Sequence, residues 1–187
     1  MQGELALFFR GVFRADCSHY SLFEKETNIF KLAILTISDA GSKGERADTS
    51  GDTISEIMER EGLEQVFRDI VPDEAEIISE KLREWCDGGK VDLVLTTGGT
   101  GLGPRDVTPE ATRAVIDIEA PGIAEAIRIE TLKNTPMAML SRSVAGVRSG
   151  CLIINLPGSP KGVRECLEVA VPAIPHALEM VKGWRTH

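Results

Sequence analysis

The sequence predicts an α/β protein, a three-layer αβα sandwich built on a mostly parallel, doubly wound sheet. Three observations predict it. Apolar runs of strand length alternate with segments of helical period. The connections between them are short. Two of the strands run into glycine- and proline-rich turns that open helices, at residues 98–106 and 157–161. Strands and helices in strict alternation imply parallel strands joined by right-handed crossovers.

The first element expected is an apolar run, Lys31–Ser38, with the length of a buried parallel strand. Residues 39–51 follow as a polar, glycine-containing loop just beyond a strand's carboxyl end, where open α/β sheets bind ligands. Asp48, Thr49 and Ser50 are candidate caps for the next helix. Ile54, Ile57, Met58 and Leu63 form its inner stripe, and Gly62 ends it. Residues 64–71 hold a second strand. Pro72-Asp73-Glu74 starts a second helix, Asp73 and Glu76 reading as a capping box, with Ile77, Ile78, Leu82 and Trp85 facing inward. Gly88-Gly89 stops that helix.

The stretch around which the rest is organised runs from Val91 to Glu110. Val91–Leu95 is a buried strand, Gly98, Gly99, Gly101 and Gly103 make a tight loop, and Thr108-Pro109-Glu110 starts a helix. Thr108 is the expected N-cap, Pro109 suits the first helical position, and Glu110 suits the positive end of the dipole. A strand, a glycine loop and a helix start hold anions on backbone N–H groups. The loop is neither a P-loop, since Pro104-Arg105 follows Gly103, nor a dinucleotide fingerprint, since Pro104 stands where a third glycine is needed. Its mouth carries Arg105, a fork for phosphate oxygens, beside Asp106, a carboxylate suited to a divalent cation.

Beyond it, Pro121-Gly122 leads into a helix at 123–132, residues 136–148 bring Arg142 and Arg148, and Cys151–Asn155 is another buried strand. That strand enters a second turn, Leu156-Pro-Gly-Ser-Pro-Lys161, in which Ser159 caps and Pro160 takes the first helical position. Lys161 adds a cation where the helix dipole is already positive, a placement that suits a visiting phosphate. Pro172 and Pro175 bend or divide the last helical region, 163–181. Two anion-binding turns in one domain imply a ligand with several phosphates, or two phosphorylated ligands meeting. Asp73 and Asp106 both follow strands, and paired carboxylates beside phosphates suit Mg²⁺. No Ser-His-Asp or Cys-His arrangement offers a nucleophile, so catalysis would rest on positioning and electrostatics.

Composition sets the bounds. The 187 residues make one domain, or one domain with a short extension. A net charge of −8 argues against a broad nucleic-acid surface, while leaving room for a local basic pocket. Cys17, Cys86, Cys151 and Cys166 have no metal or redox spacing, and His19, His176 and His187 are scattered, so buried thiols in a reducing cytosol are expected. No apolar run reaches the roughly 18 residues of a membrane span, and Glu4 with no cleavage site argues against a signal peptide. The expected setting is cytoplasmic. Residues 1–30 are too aromatic for a disordered tail (Phe8, Phe9, Phe13, Tyr20, Phe23) and read as an extension lying on the domain or on a neighbouring subunit, with the domain itself spanning 31–187.

The motifs Ile37-Ser38-Asp39, Asp48-x-Ser50-Gly51, Val71-Pro72-Asp73-Glu74, Thr96-Thr-Gly-Gly-Thr-Gly101, Arg105-Asp-Val-Thr-Pro-Glu110, Leu140-Ser-Arg-Ser143 and Asn155-Leu-Pro-Gly-Ser-Pro160 occur in one order. Together they resemble the MogA/MoaB family of molybdenum cofactor biosynthesis proteins, which includes the G domains of gephyrin and its plant counterpart. The resemblance covers residues 32–183. It implies a molybdopterin adenylyltransferase, in which ATP and Mg²⁺ transfer AMP to the terminal phosphate of molybdopterin and release pyrophosphate. It implies Asp73 and Asp106 as the catalytic and Mg²⁺-holding pair, and Gly98, Gly99, Thr100, Gly101, Arg105, Gly158 and Ser159 around ATP. Ser141 and Arg142 are implied on the molybdopterin side, with a homotrimer or dimer of trimers and a MoeA-type molybdenum insertase as partner. Two rivals follow from the same resemblance: a MoaB-like binding or scaffolding module without efficient transfer, and a CinA-like pyrophosphatase, which would carry a different Asp-rich continuation after the glycine loop.

Overall fold

Side chains of successive strand residues point to opposite faces, and here both faces are apolar. In the computed structural model, which describes residues 29–184, Leu32 and Ile34 of β1 (Lys31–Ile37) enter one core while Ala33, Leu35 and Ile37 enter the other. The same alternation holds in β3 (Leu93–Thr97) and β6 (Cys151–Leu156). Strands buried on both sides need helices above and below. The extension read over residues 1–30, with Cys17 and His19, lies almost wholly outside the described residues, as does His187.

The sheet has six strands in the order β2-β1-β3-β6-β5-β4, with β2 at Glu64–Val71, β4 at Ile118–Glu119 and β5 at Ala145–Arg148. Strands β1, β2, β3 and β6 are parallel. β5 runs antiparallel to both β6 and β4. This is the doubly wound, mostly parallel sheet expected. The antiparallel edge is an addition to the reading: β4 is two exposed residues long, too short for a periodic signal.

One core takes Ile54 and Met58 from α2 (Thr49–Arg60), Ile127 from α5 (Pro121–Thr131), Leu167 from α6 (Pro160–Ala170) and Leu178 from α7 (Ile174–Val181). The other takes Ile78, Leu82 and Trp85 from α3 (Ala75–Asp87) and Ala111 from α4 (Thr108–Arg113). A single turn, α1 (Asp39–Ser42), lies in the stretch read as an irregular loop. Pro172 and Pro175 divide the last helical region as expected, with a 3₁₀ turn at Val171–Ala173. Among the described residues, Cys86, Cys151 and Cys166 are buried and unpaired, and burial pushes the Cys166 thiol up to about 12. No described helix is long and apolar enough to cross a membrane.

Several local readings need correction. Strand β3 begins at Leu93 rather than Val91. Ile77 is 41% exposed, while its neighbour Ile78 takes the core position. Neither Thr108 nor Asp73 caps its helix: α3 and α4 have no side-chain cap. Each polar group has a stronger tertiary claim, described below. Ser159, by contrast, caps α6 by accepting from Gly162 N at 3.1 Å, and Asp48 caps α2 by accepting from Gly51 N at 2.9 Å.

The buried Asn155 ties the central strands together. Its Nδ2 donates to Thr96 Oγ1 and Thr112 Oγ1, each at 2.9 Å, and its Oδ1 accepts from Val144 N at 3.2 Å. All the side chain's hydrogen-bonding atoms are engaged, as a group 1% exposed requires.

Candidate active site

Parallel strands deliver their following loops to one edge of the sheet, and here those loops enclose a cleft of about 210 Å³. It opens beyond the carboxyl ends of β1, β3 and β6, and Ser38, Arg46, Asp48, Asp73, Gly98 and Gly158 are among its walls. Both of the turns expected to bind anions reach it, through Gly98 and Gly99 and through Gly158. Gly98 has φ of 103° and donates its N–H to Leu156 O at 3.2 Å, so the first loop is bonded to the strand that leads into the second. A Cβ on Gly158 would sit 3.3 Å from Gly98 Cα. The two turns touch, and glycine at 158 leaves room for that approach, while glycine at 98 leaves room against Ile37 O of β1.

Asp73 stands at the cleft's wall because its chain partner is across the sheet rather than in its own helix. Asp73 Oδ2 accepts from Asp39 N at 2.8 Å, and Asp39 Oδ1 accepts from Asp73 N at 3.1 Å. This reciprocal pair joins the loop after β1 to the loop after β2. Oδ1 of Asp73 has no hydrogen-bond donor among the described residues. Burial holds the Asp73 carboxyl above the usual carboxylate range, and the charges of Asp39 and Asp106 push the same way.

Arg105 lies beside this pair. Its guanidinium donates to Asp39 (Nη2–Oδ1 2.9 Å, Nε–Oδ2 3.2 Å) and to Glu74 Oε1 at 2.8 Å. The fork expected to grip phosphate thus grips two carboxylates here, and Arg105 is not among the residues lining the cleft. The pairing holds Asp39 below its ordinary pKa, helped by the Asp73 N–H, and keeps Arg105 firmly charged.

The glycine loop is shaped from behind. Asp106 Oδ2 accepts from Gly103 N at 2.6 Å, leaving Oδ1 without a donor among the described residues. Thr108, freed from capping, donates its hydroxyl to Gly98 O at 2.9 Å. Arg142 donates to Gly101 O at 2.6 Å and Asp106 O at 2.5 Å and also pairs with Glu110. Its own N–H reaches Thr100 O at 3.0 Å. Arg142 is therefore a clamp on three loop carbonyls. Ser141 Oγ donates to Ser143 Oγ at 3.0 Å. Of the residues singled out in the sequence, Asp73, Gly98, Gly99 and Gly158 line the cleft, while Thr100, Gly101, Asp106, Ser141, Arg142 and Ser159 do not.

Asp48 does more than cap. It also accepts from Thr36 Oγ1 at 2.9 Å and from Arg68 Nη2 at 2.7 Å. Burial alone would raise its pKa, yet Arg68 and the Gly51 N–H outweigh that and hold it below the ordinary value. Arg68 is bonded in turn to Asp52 at 2.7 Å. Lys161 points away, 83% exposed and 3.8 Å from Glu165. Arg46, Asp39 and Arg68 carried no assigned role in the sequence reading. Asp39 was signalled by its place in Ile37-Ser38-Asp39, and Arg46 by being a basic residue in the loop after β1.

Residues 33–176 match the family described as "Probable molybdopterin binding domain". A curated relative, "Molybdopterin adenylyltransferase" of Helicobacter pylori, is 46% identical over 154 residues, covering 81% of this chain and 88% of its own length. The protein of the same name from Escherichia coli is 37% identical over 171 residues, covering 83% and 87%. Among solved structures, the molybdopterin biosynthesis enzyme MoaB of Thermus thermophilus superposes with a TM-score of 0.79 at 54% identity, covering 83% of this chain and 98% of that one.

Proposed function

The chain belongs to the molybdopterin-binding domain family of molybdenum cofactor biosynthesis, and from that premise we propose that it is a molybdopterin adenylyltransferase, transferring AMP from ATP to molybdopterin with release of pyrophosphate. One observation carries the reading beyond the names of its relatives. Two strand–loop–helix turns meet at Gly98 and Gly158 on a cleft whose wall holds Asp73. Two such turns side by side suit a reaction that joins two phosphorylated molecules, because each can hold one phosphate group next to the other.

In this reading the backbone N–H groups of residues 98–101 and the turn at Gly158-Ser159 hold the nucleotide, and the segment of Ser141 and Arg142 contributes to the pterin side, Arg142 by holding the loop carbonyls in place. Asp73 and Asp106 are the catalytic carboxylates. Their chemistry fits Mg²⁺: each commits one oxygen to a backbone N–H and keeps the other open. Two carboxylates with phosphate oxygens completing the shell is a common Mg²⁺ arrangement. When bound, Mg²⁺ offsets phosphate charge as pyrophosphate departs. The protein's own part is to align the terminal phosphate of molybdopterin with the α-phosphate of ATP and to exclude water. No side-chain nucleophile is needed.

The test is to incubate the purified protein with molybdopterin, ATP and Mg²⁺ and follow adenylylated molybdopterin and pyrophosphate. Turnover that disappears without Mg²⁺ is expected, and Asp106→Asn should reduce it by roughly 10²–10³. Tight molybdopterin binding with no AMP transfer would replace the enzyme with a binding module.

A further inference from the structure

The cleft is rich in carboxylates and poor in cations. Asp48 and Asp73 line it, with Asp39 and Asp106 close enough to act on Asp73. A polyanion entering such a site needs positive charge placed to meet it. The cations nearest at hand are already engaged. Arg105 is held by Asp39 and Glu74, and Arg68 by Asp48 and Asp52. Arg142 is spent on loop carbonyls and Glu110, and Lys161 projects into solvent.

Arg46 is different. Among the described residues it is the one Lys or Arg that lines the cleft, and it has no hydrogen-bond or ion-pair partner there. It lies two residues before Asp48, the cap of α2, so it stands beside the positive end of a 12-residue helix whose Thr49 and Ser50 also face the cleft. An exposed guanidinium with five unclaimed donors at the wall of a phosphate site is pre-placed for a bidentate phosphate contact.

We propose that Arg46 is the side chain that receives a substrate phosphate in this cleft, an assignment that rests on the phosphate-joining reaction above and adds to it a residue from the loop after β1. The shared chemistry is a phosphate oxygen, supplied either by ATP or by the terminal phosphate of molybdopterin.

Arg46→Ala and Arg46→Lys would be compared with the parent by calorimetric titration of pyrophosphate, ATP and molybdopterin, and by steady-state kinetics. Because Arg46 has no partner to lose, both variants should melt with the parent. Loss of the contact in Arg46→Ala should weaken at least one phosphate ligand roughly 10- to 100-fold, with KM affected more than kcat and partial recovery in Arg46→Lys. A change confined to ATP and pyrophosphate assigns Arg46 to the nucleotide, and one confined to molybdopterin assigns it to the pterin phosphate. Affinities all within about twofold of the parent's would overturn the proposal. A parent that binds pyrophosphate, weakens on substitution and yet transfers no AMP would support Arg46 while overturning the transferase. A parent that binds none of the three ligands would overturn both.

Discussion

Asp39 and Asp73 hold one another by exchanged side-chain-to-backbone hydrogen bonds, Asp73 Oδ2 accepting from Asp39 N at 2.8 Å and Asp39 Oδ1 from Asp73 N at 3.1 Å. The arrangement fixes Asp73 at the cleft without a counter-ion of its own. Among the described residues the only cation acting on it, Arg105, is bonded to Asp39 and Glu74 instead.

That lack of a counter-ion predicts a stability gain alongside a loss of activity. The folded-state pKa of Asp73 is raised, by burial first and then by its acidic neighbours. The native state therefore holds the proton more tightly than the unfolded chain does. The resulting stabilisation is complete below the unfolded value and is lost as pH rises through the folded one. At neutral pH ionised Asp73 opposes folding. Asp73→Asn keeps an oxygen for Asp39 N and removes the charge, so its urea midpoint at pH 7 should equal or exceed the parent's. The difference should shrink as pH falls below the carboxylate range. Turnover should drop roughly 10²–10³. A variant that turned over normally would make Asp73 a linker of loops and nothing more.

Arg105 should act on the reaction through the acid limb of its pH profile. Its charge favours ionised Asp73. Removing the guanidinium in Arg105→Ala takes that contribution away and raises the Asp73 pKa. The acid limb of kcat/KM should then move to higher pH, while the melting temperature stays close to the parent's because exposed ion pairs contribute little. An unmoved limb together with a raised KM for ATP would instead mean that Arg105 leaves Asp39 to hold phosphate.

What the sequence disclosed follows from how local each signal is. The start of α6 was readable because Ser159 bonds Gly162, three residues on, and Pro160 needs no partner at all. Thr108 and Asp73 sit in equally good capping contexts, yet one hydroxyl goes to Gly98 and one carboxylate to Asp39, contacts spanning 10 and 34 residues. Spacing cannot reveal such competition. The same limit applies to Arg105, whose Asp39 partner is 66 residues away, and to the edge strand β4, which exists because Ile118 and Glu119 pair with Val147 and Gly146. The sheet's parallel centre was plain because burial on both faces leaves unbroken apolar runs such as Leu32–Leu35.

The Asn155 network should be costly to interrupt. Asn155→Leu removes one acceptor and two donors from a site with no water-exposed surface to compensate Val144 N or the buried Thr96 and Thr112 hydroxyls. Leaving these groups unsatisfied should cost about 2–4 kcal/mol in urea denaturation, with the m-value unchanged. A loss under about 0.5 kcal/mol would mean that the two threonines re-pair with nearby carbonyls.

Two glycines of similar backbone angle meet different surroundings, and the contrast isolates what the glycine loop requires. Gly62 has φ of 80° and nothing within 4 Å of where a methyl group would stand, so alanine there meets only the left-handed backbone penalty. That penalty is about 1–2 kcal/mol. Gly98 has φ of 103°, and a Cβ would fall 2.3 Å from Ile37 O, a backbone atom of β1 that no rotamer change can move. Strain and overpacking together should cost about 2–6 kcal/mol. Gly98→Ala should therefore lower the melting temperature at least twice as far as Gly62→Ala. It should also weaken ATP binding, since the loop must shift away from Ile37 O to relieve the clash, whereas Gly62→Ala should bind ATP as the parent does. Equal losses of stability would show that the loop yields freely, and that its close seat against β1 is not what fixes the site's shape.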